Sequence, residues 1–303
     1  MPSKHPSTSW IIFALAILAG ATSLPAQTLR GVKAIAASGG ASFALLSDGT
    51  VWGWGENRGG GLGDGTLTNR AAPVQVSGLT NVVAIGQGLA VKADGTVWEW
   101  GTNLDPLGNQ VVINAPVRVN GLSGAVAVAG GLPSSLALKS DGTVWVWGVF
   151  GMDLFGGGMI RDSAPAQVSG LTDVVAVAQT RLHGLAAKSD GTVWAWGYNN
   201  DGVMGDGFTT LPSPARFWGG SPPAQVSGLS GIVAVAAGYG HSLALSGDGR
   251  VWAWGFNGHG QLGDGTTETR TTPVQISGLT GVVKITAGDA HSIAVQRDGS
   301  VWA

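Results

Sequence analysis

Residues 248–255, Asp-Gly-Arg-Val-Trp-Ala-Trp-Gly, decide the fold of this chain. An Asp-Gly pair in front of alternating side chains is a strong signal for the tight turn of a β-hairpin. The alternation has a period of two, which places Trp252 and Trp254 on one face of a strand. The preceding residues 241–245, His-Ser-Leu-Ala-Leu, supply the other strand of the hairpin.

The same motif recurs along the whole chain. Asp-Gly-x-Val-Trp occurs six times, at intervals of 46 to 58 residues, beginning at Asp48, Asp94, Asp141, Asp190, Asp248 and Asp298. In five copies a second tryptophan follows two positions later and precedes a glycine: Trp54, Trp100, Trp147, Trp196 and Trp254. Eleven of the 13 tryptophans therefore belong to the repeat, and we interpret them as a structural core between units.

One full unit contains four short segments of strand character, at residues 224–229, 232–237, 241–245 and 250–254. Four short strands per unit, repeated at intervals of about 50 residues, are typical of β-propeller blades. The sequence therefore predicts an all-β fold, a β-propeller of about six four-stranded blades. The units run over about residues 31–79, 80–122, 123–171, 172–229 and 230–279, with a partial unit at 280–303.

The first 26 residues have the layout of a secretory signal peptide. Lys4 gives a positive start, residues 10–18 (WIIFALAIL) are apolar, and residues 24–26 (LPA) form a cleavage site before Gln27. The apolar run is shorter than the roughly 20 residues of a membrane-spanning helix. We therefore expect a mature chain of residues 27–303 without a membrane span, which is secreted, periplasmic or attached to the cell surface.

Composition narrows the classes of partner and cofactor. The 16 basic and 18 acidic residues give a net charge of −2, without the basic excess typical of nucleic-acid-binding proteins. There is no cysteine, so disulfides and thiolate-bound metals are excluded. The glycine-rich loops, such as residues 258–266, lack the following helix of a dinucleotide site. We expect no cofactor, no metal and no nucleic-acid partner.

Three segments carry a resemblance to the regulator-of-chromosome-condensation repeat family. They are residues 236–245 (AAGYGHSLAL), 251–255 (VWAWG) and 260–263 (GQLG). The resemblance extends over nearly the whole chain after the leader, and the repeat type is similar to that of the bacterial, secreted β-lactamase inhibitor propeller. It implies a propeller, usually of seven blades, whose members act as exchange factors for a small GTPase, as protein inhibitors or as interaction modules.

Two departures from the family pattern bear on the fold and the histidines. The chain ends at Ala303 within a tryptophan strand, so we expect a truncated seven-bladed ring; a six-bladed ring in which both ends of the chain share one blade is the alternative. The signature histidine is present at His183, His241 and His291 but absent from the first three units. We interpret these histidines as structural residues.

Candidate binding residues lie where the repeat is irregular, because regular loops are explained by folding. The fourth unit has a longer loop that contains Arg216, Phe217 and Trp218, and an exposed arginine beside aromatic residues is typical of a protein-binding anchor. Folding of these aromatic side chains onto the propeller is the alternative. The third unit has an apolar loop with Phe150 and Phe155, a second candidate contact.

The sequence favours a bacterial secreted or surface protein–protein interaction module, without catalysis of its own, whose partner is another protein. Nucleotide exchange on a small GTPase is the alternative, and it is implied only by the family resemblance. A third hypothesis is a polysaccharide-acting enzyme, which would need two carboxylates about 5–10 Å apart. The aspartates of the chain fall mainly in the repeated turns, so no catalytic residues are assigned.

Overall fold

The structure, a computed structural model, describes residues 28–104, 109–131, 134–148, 164–180, 182–209 and 221–303. All regular elements in these ranges are β-strands, and they form six separate sheets. Five sheets have four strands and the sixth has three, and each sheet is one blade of a propeller.

The strands are numbered in chain order and assigned to their blades as follows. Blades 1 to 3 consist of β1 Val32–Ser38, β2 Ala41–Leu46, β3 Val51–Gly55 and β4 Arg70–Gln75; β5 Val82–Gly86, β6 Leu89–Lys92, β7 Val97–Leu104 and β8 Gln110–Arg118; and β9 Ala125–Gly131, β10 Ser134–Lys139, β11 Val144–Gly148 and β12 Ala166–Gln167. Blades 4 to 6 consist of β13 Val174–Gln179, β14 His183–Lys188, β15 Val193–Gly197 and β16 Ser221–Gln225; β17 Ile232–Ala237, β18 His241–Ser246, β19 Val251–Gly255 and β20 Arg270–Gln275; and β21 Val282–Ala287, β22 Ser292–Gln296 and β23 Val301–Trp302.

Within each blade the strands are antiparallel and lie side by side in chain order. In blade 5, Leu243 of β18 pairs with Ala236 of β17 on one side and with Ala253 of β19 on the other. The first strands of adjacent blades contact one another, for example β13 and β17, which places these inner strands nearest the axis. The predicted all-β propeller of about six blades is therefore confirmed, and the described strands of blade 6 are β21, β22 and β23.

The Asp-Gly turn between the second and third strands also joins neighbouring blades. In blade 5, Gly249 has a φ of +87°, and a Cβ there would lie 2.9 Å from the Cα of Gly281 in the next blade. The backbone N–H of Val282 donates to the Gly249 carbonyl at 3.1 Å, and the same bond occurs at the four preceding blade interfaces. Glycine is required at this position both by the left-handed backbone conformation and by the close approach of the next blade.

The second tryptophan of the motif fills the space between blades. Trp100, Trp147, Trp196 and Trp254 are almost fully buried. The Nε1–H of Trp254 donates to the Val203 carbonyl of blade 4 at 2.7 Å, and that of Trp100 donates to the Gly61 carbonyl of blade 1 at 2.9 Å. Each of these two tryptophans therefore contributes apolar area and a hydrogen bond to the preceding blade, in agreement with the structural role predicted from the repeat.

In blade 2 a side chain, that of Glu99, accepts the hydrogen bond from the tryptophan of the next blade. Only the five residues 105–109 connect β7 to β8, so the sequence of this blade lacks the long glycine-rich loop of blades 1 and 5. The hydrogen-bond acceptor for the tryptophan of blade 3 is here a side chain, since Trp147 Nε1–H donates to Glu99 Oε2 at 2.8 Å. Burial raises the pKa of Glu99, and the bond from Trp147 opposes part of that rise.

A β-bulge lies near the start of every inner strand. The pairing skips one residue in each of the six blades: Lys33, Val83, Val126, Val175, Val233 and Val283. Bulges change the direction of a side chain, and these six side chains are exposed. They form a repeated set at the end of the blades that carries the Asp-Gly turns.

The outer faces of blades 1 and 6 lack the cover that the inner blades have. Val32 at the start of β1 is 46% exposed, whereas the corresponding residues of the other five blades are 1–5% exposed. Trp54 is partly exposed although its four counterparts are buried, and Trp302 of β23 is exposed. The strands of these two blades, all of them described, make no extensive contact with each other. Within the described residues there is no helix of the length and apolar character that a membrane crossing requires.

Candidate functional site

The two ends of the propeller carry different connections. Because the strands alternate in direction, the turns between first and second strands and the loops between third and fourth strands lie at the same end of each blade. The two kinds of connection contact each other there, as Phe256 N–H donates to the Gly240 carbonyl at 2.7 Å. We call this end the loop face, and the end with the Asp-Gly turns the turn face.

The long loops of blades 1 and 5 are held by their own polar residues. In blade 5, Asn257 Nδ2 donates to Asp264 Oδ1 at 3.1 Å, Asn257 Oδ1 accepts from Leu262 N–H at 3.0 Å, and Arg270 Nε donates to Asp264 Oδ2 at 2.8 Å. Burial opposes ionisation of Asp264, but hydrogen bonds from Thr266 and Arg270 outweigh it and lower the pKa to about 2. Asp264 and its counterpart Asp64 thus have a structural role. No group of three or more potential metal ligands is present among the described residues.

The histidines of blades 4 and 5 join neighbouring blades. His183 Nε2 lies 3.0 Å from Ser242 Oγ, and His241 Nε2 lies 3.0 Å from Ser292 Oγ, each serine belonging to the next blade. The Ser292 hydroxyl donates to the Gln261 carbonyl at 2.6 Å, so it accepts from His241 and fixes the proton of that ring on Nε2. This arrangement agrees with the structural role predicted for His183 and His241, while His291 of blade 6 is exposed.

Aromatic and acidic side chains, some exposed and some half-buried, lie on the loop face at blade 5. We call Asp201, Tyr239, Phe256, His259 and Asp289 the blade 5 patch. A Cβ on Gly240 would lie 3.0 Å from Asp201 Oδ2 and 3.2 Å from Phe256 Cβ, so the carboxylate and the aromatic side chain border the same glycine. Phe256 also meets His259 edge to face, with ring centroids 5.9 Å apart.

The neighbouring turns complete the blade 5 patch. Tyr239, which precedes Gly240, is 55% exposed, and its N–H donates to the Asp289 carbonyl of blade 6 at 3.3 Å. Within the described ranges, neither Asp201 nor Asp289 takes part in an ion pair. Burial raises the pKa of Asp201. The patch therefore combines exposed aromatic surface with carboxylates that have no cationic partner among these residues.

The candidate binding residues from the sequence, Arg216, Phe217, Trp218, Phe150 and Phe155, all lie outside the described residues. Phe208, near the start of the same long loop as Arg216, is described and is 64% exposed on the loop face. The sequence analysis did not predict the blade 5 patch, because Tyr239 lies within the repeat signature at residues 236–245 and was interpreted as part of that signature. The available signal was Asp201, which stands where blade 1 has Gly59 and blade 5 has His259.

Solved structures with a similar fold include Prp20p of Saccharomyces cerevisiae, studied for its binding to Gsp1p and histones. It is 22% identical, with a TM-score of 0.72 over 88% of this chain and 70% of that chain. Yeast RCC1 (Prp20) in complex with Kap60 is 24% identical, with a TM-score of 0.72 over 89% of this chain and 69% of that chain. Human WBSCR16 is 20% identical, with a TM-score of 0.73 over 88% and 72%. Identities at this level establish a shared fold.

Similarity to curated proteins is confined to a short segment. The E3 ubiquitin-protein ligase HERC2 of Homo sapiens and that of Mus musculus are each 51% identical over 47 residues, which is 15% of this chain. The matched segment spans about 1% of the length of these relatives.

Sequence profiles identify the family. One profile of the regulator of chromosome condensation (RCC1) repeat matches residues 48–88, 190–245 and 248–295, and a second matches 32–60, 174–203 and 232–261. Together the matches cover residues 32–88 and 174–295, more than half of the chain, and each match of the first profile runs from the Asp-Gly turn of one blade into the second strand of the next or the turn before it. The chain belongs to the regulator of chromosome condensation (RCC1) repeat family.

Proposed function

We propose that this protein is a secreted or cell-surface module that binds another protein through its loop face and has no catalysis of its own. The observation that carries the proposal is the exposed aromatic surface of Phe208 and Tyr239 on that face. Large exposed aromatic side chains are enriched in protein interfaces, where they supply much of the binding energy.

The distribution of roles in the propeller supports this choice of face. Buried tryptophans, histidines and loop aspartates of the repeat are engaged in packing or hydrogen bonding. The side chains of Phe208 and Tyr239 contribute little to packing within the propeller, because most of each side chain is in contact with solvent. The long loop with Arg216, Phe217 and Trp218 begins beside Phe208 in the sequence, and we propose that it extends the same contact surface, with Phe150 and Phe155 as further contacts.

The protein partners of Prp20p are consistent with a binding role for the scaffold. The proposal of export rests on the signal peptide predicted at residues 1–26. Export distinguishes this function from nucleotide exchange on a small GTPase, because GTP and small GTPases are cytosolic. Fractionation of cells that express the full chain tests the compartment. N-terminal sequencing of the exported protein tests cleavage before Gln27.

The binding face is tested by capture of partners from surface and secreted fractions of the source organism and from a pool of small GTPases. We expect the purified protein to capture an extracellular protein, and we expect the Phe208→Ala/Tyr239→Ala variant to lose it. The variant Arg216→Ala/Phe217→Ala/Trp218→Ala is expected to weaken capture as well.

A matched control is available on the turn face. Val175 and Val233 are 51% and 52% exposed, so the Val175→Ala/Val233→Ala variant removes exposed apolar surface at the other end of the propeller. It is expected to capture the partner normally. Loss in both double variants, or in neither, would contradict binding by the loop face. Selective capture of a nucleotide-free GTPase would instead support the exchange-factor function.

A further inference from the structure

We infer that Asn120 is a site of spontaneous deamidation in the folded protein, through the backbone nitrogen of Gly121, whereas the fold protects Asn257 in the second Asn-Gly pair of the chain. The Asn120-Gly121 pair lies on the turn face, between β8 of blade 2 and β9 of blade 3. The inference goes beyond the proposed binding function and does not depend on it.

The reaction needs a mobile asparagine side chain and a following backbone nitrogen that can reach it. The Gly121 nitrogen attacks Cγ of Asn120 and loses its proton, the bond from Cγ to the side-chain nitrogen breaks, and ammonia leaves a cyclic succinimide. Water then opens the ring on one of its two sides and gives aspartate or isoaspartate. One water is consumed for each ammonia released, without oxidation or reduction. Glycine favours the attack because it has no side chain and a permissive backbone.

Asn120 and Gly121 have the freedom that this reaction requires. Both are exposed turn residues, and neither the Asn120 side chain nor the Gly121 N–H makes a hydrogen bond within the described part of the chain. A Cβ on Gly121 would meet only Pro165 Cδ, at 4.0 Å, so neighbouring atoms leave the turn open. The fold does not require asparagine here, because the other four junctions between blades have serine at this position: Ser77, Ser169, Ser227 and Ser277.

Asn257 has the same following residue but a different environment. Its side chain is fully buried, and Nδ2 donates to Asp264 Oδ1 at 3.1 Å and to the Thr266 carbonyl at 3.0 Å. Asn257 Oδ1 accepts from Leu262 N–H at 3.0 Å. Rotation of the side chain toward the Gly258 nitrogen would break these bonds and leave buried polar groups without partners, which is unfavourable. We therefore expect Asn257 to react only after its loop opens.

The ten Asp-Gly pairs of the chain could form the same ring, and the fold restrains them too. In the tenth pair, Asp264-Gly265, hydrogen bonds from Thr266 and Arg270 hold the carboxylate. In the other nine the glycine N–H donates to a backbone carbonyl; these glycines are Gly49, Gly65, Gly95, Gly142, Gly191, Gly202, Gly207, Gly249 and Gly299. Among all Asn-Gly and Asp-Gly pairs, only Asn120-Gly121 has both the side chain and the attacking nitrogen free of hydrogen bonds to the described residues.

The isoaspartate product should disturb the junction of blades 2 and 3. Val119 and Leu122, on either side of the pair, are 5% and 2% exposed and belong to one core cluster with Trp147. Isoaspartate routes the main chain through the side-chain carbon and lengthens it between these two anchored residues, whereas aspartate leaves the main chain unchanged. We expect the isoaspartate form to unfold at a lower urea concentration than the Asn120→Asp variant, which carries the same charge.

The test compares the two Asn-Gly pairs within one molecule. The full chain is incubated in the folded state at mildly alkaline pH, and peptide mapping by mass spectrometry follows the replacement of NH by O at each asparagine. We expect Asn120 to convert at least about ten-fold faster than Asn257, because reaction at Asn257 requires local opening. In urea, where both pairs are unfolded, the two rates should become similar. Equal rates in the folded protein, or a ratio that urea does not change, would overturn the inference.

A variant and a second readout locate the reaction. Asn120→Ser introduces the residue of the other four junctions, so it is expected to fold normally and to lose the fast conversion. An isoaspartate-specific carboxyl methyltransferase, supplied with labelled S-adenosylmethionine, measures isoaspartate directly. We expect methylation of the aged parent protein and none above background in the aged Asn120→Ser variant. Equal methylation of both proteins would place the reaction at another residue and contradict the assignment of Asn120.

Discussion

His183 and His241 show how position between blades changes the chemistry of a single residue. Burial lowers the pKa of both rings, to about 3 for His183 and about 4 for His241, and the neighbouring histidine contributes to each shift. Both rings are therefore neutral hydrogen-bond partners of the next blade at physiological pH. Since an unfolded histidine titrates near 6.5, the unfolded chain binds more protons than the folded one between about pH 6.5 and 4.

We predict that the contribution of these histidines to stability is complete above about pH 6.5 and is lost as the pH falls toward 4 and then 3. Urea unfolding across this range measures the change in the free energy of unfolding. In the His183→Gln/His241→Gln variant the loss between pH 6.5 and 4 should become smaller. An unchanged slope in the variant would show that other groups cause the acid sensitivity.

The contribution of Glu99 to the free energy of unfolding has the opposite pH dependence to that of the two histidines. Burial raises its pKa above the usual 4.5, so the folded protein binds more protons than the unfolded chain as the pH rises above that value. We predict that Glu99→Gln, which keeps an acceptor for Trp147, gains stability relative to the parent as the pH is raised from about 4.5 to neutral. Paired urea titrations measure the difference, and a constant difference across this range would contradict the prediction.

At the scale of the elements, each Asp-Gly turn closes its own hairpin, and in blades 1 to 5 it also contacts the backbone of the next blade. Gly249 and Gly299 occupy the same position of the turn and have φ values of +87° and +88°. A Cβ on Gly249 would lie 2.9 Å from backbone of the next blade, whereas a Cβ on Gly299 would meet nothing within 4 Å. The two sites therefore separate backbone strain from contact between blades.

We predict that Gly299→Ala lowers the free energy of unfolding by about 1–2 kcal/mol, the cost of a left-handed backbone for a residue with a Cβ. Gly249→Ala should cost more, because the same strain is joined by displacement of the Gly281 backbone. Chemical denaturation of the two variants measures both values. Equal costs would mean that the turn conformation alone requires glycine and that the contact between blades relaxes freely.

At the scale of the whole molecule, neighbours determine which faces are covered. Blades 4 and 5 are enclosed on both sides, whereas the outer faces of blades 1 and 6 expose Val32 and Trp302. Residues with few buried contacts open at lower free energy than the core of a protein. The stability of the propeller is therefore expected to vary along the chain rather than to be uniform.

We predict that amide hydrogens of β14 and β18 exchange more slowly than those of β2 and β22, although all four are second strands of their blades. Hydrogen exchange followed by mass spectrometry measures the protection of each strand. A comparison at low and high protein concentration controls for cover of the outer faces by self-association. Equal protection of all four strands at low concentration would contradict the prediction.

The sequence by itself determined the architecture, because the same local signals occur in every unit. Asp-Gly turns, period-two alternation and paired tryptophans are properties of a few adjacent residues, and the segments predicted at 232–237, 241–245 and 250–254 lie within one residue of β17, β18 and β19. The segment predicted at 224–229 overlaps β16 of blade 4 instead, and β20 supplies the fourth strand of blade 5. The structural roles of Trp254 and His241 also follow from the repeat. The positions of the long-loop residues, such as Trp218, were chosen from sequence irregularity and stay predictions.

Only the tertiary structure decided which copies of a repeated residue are buried and which residues from different units meet. Trp54 and Trp254 share one motif, yet only the second is covered, because a preceding blade lies against it. Trp147 donates to the Glu99 side chain, whereas Trp100 and Trp254 donate to backbone carbonyls of the preceding blade. Asp201, Tyr239 and Phe256 come from connections of two blades, and the packing of those blades brings them together. Local patterns specify strands and turns, whereas burial and shared sites depend on neighbours that are distant in the chain.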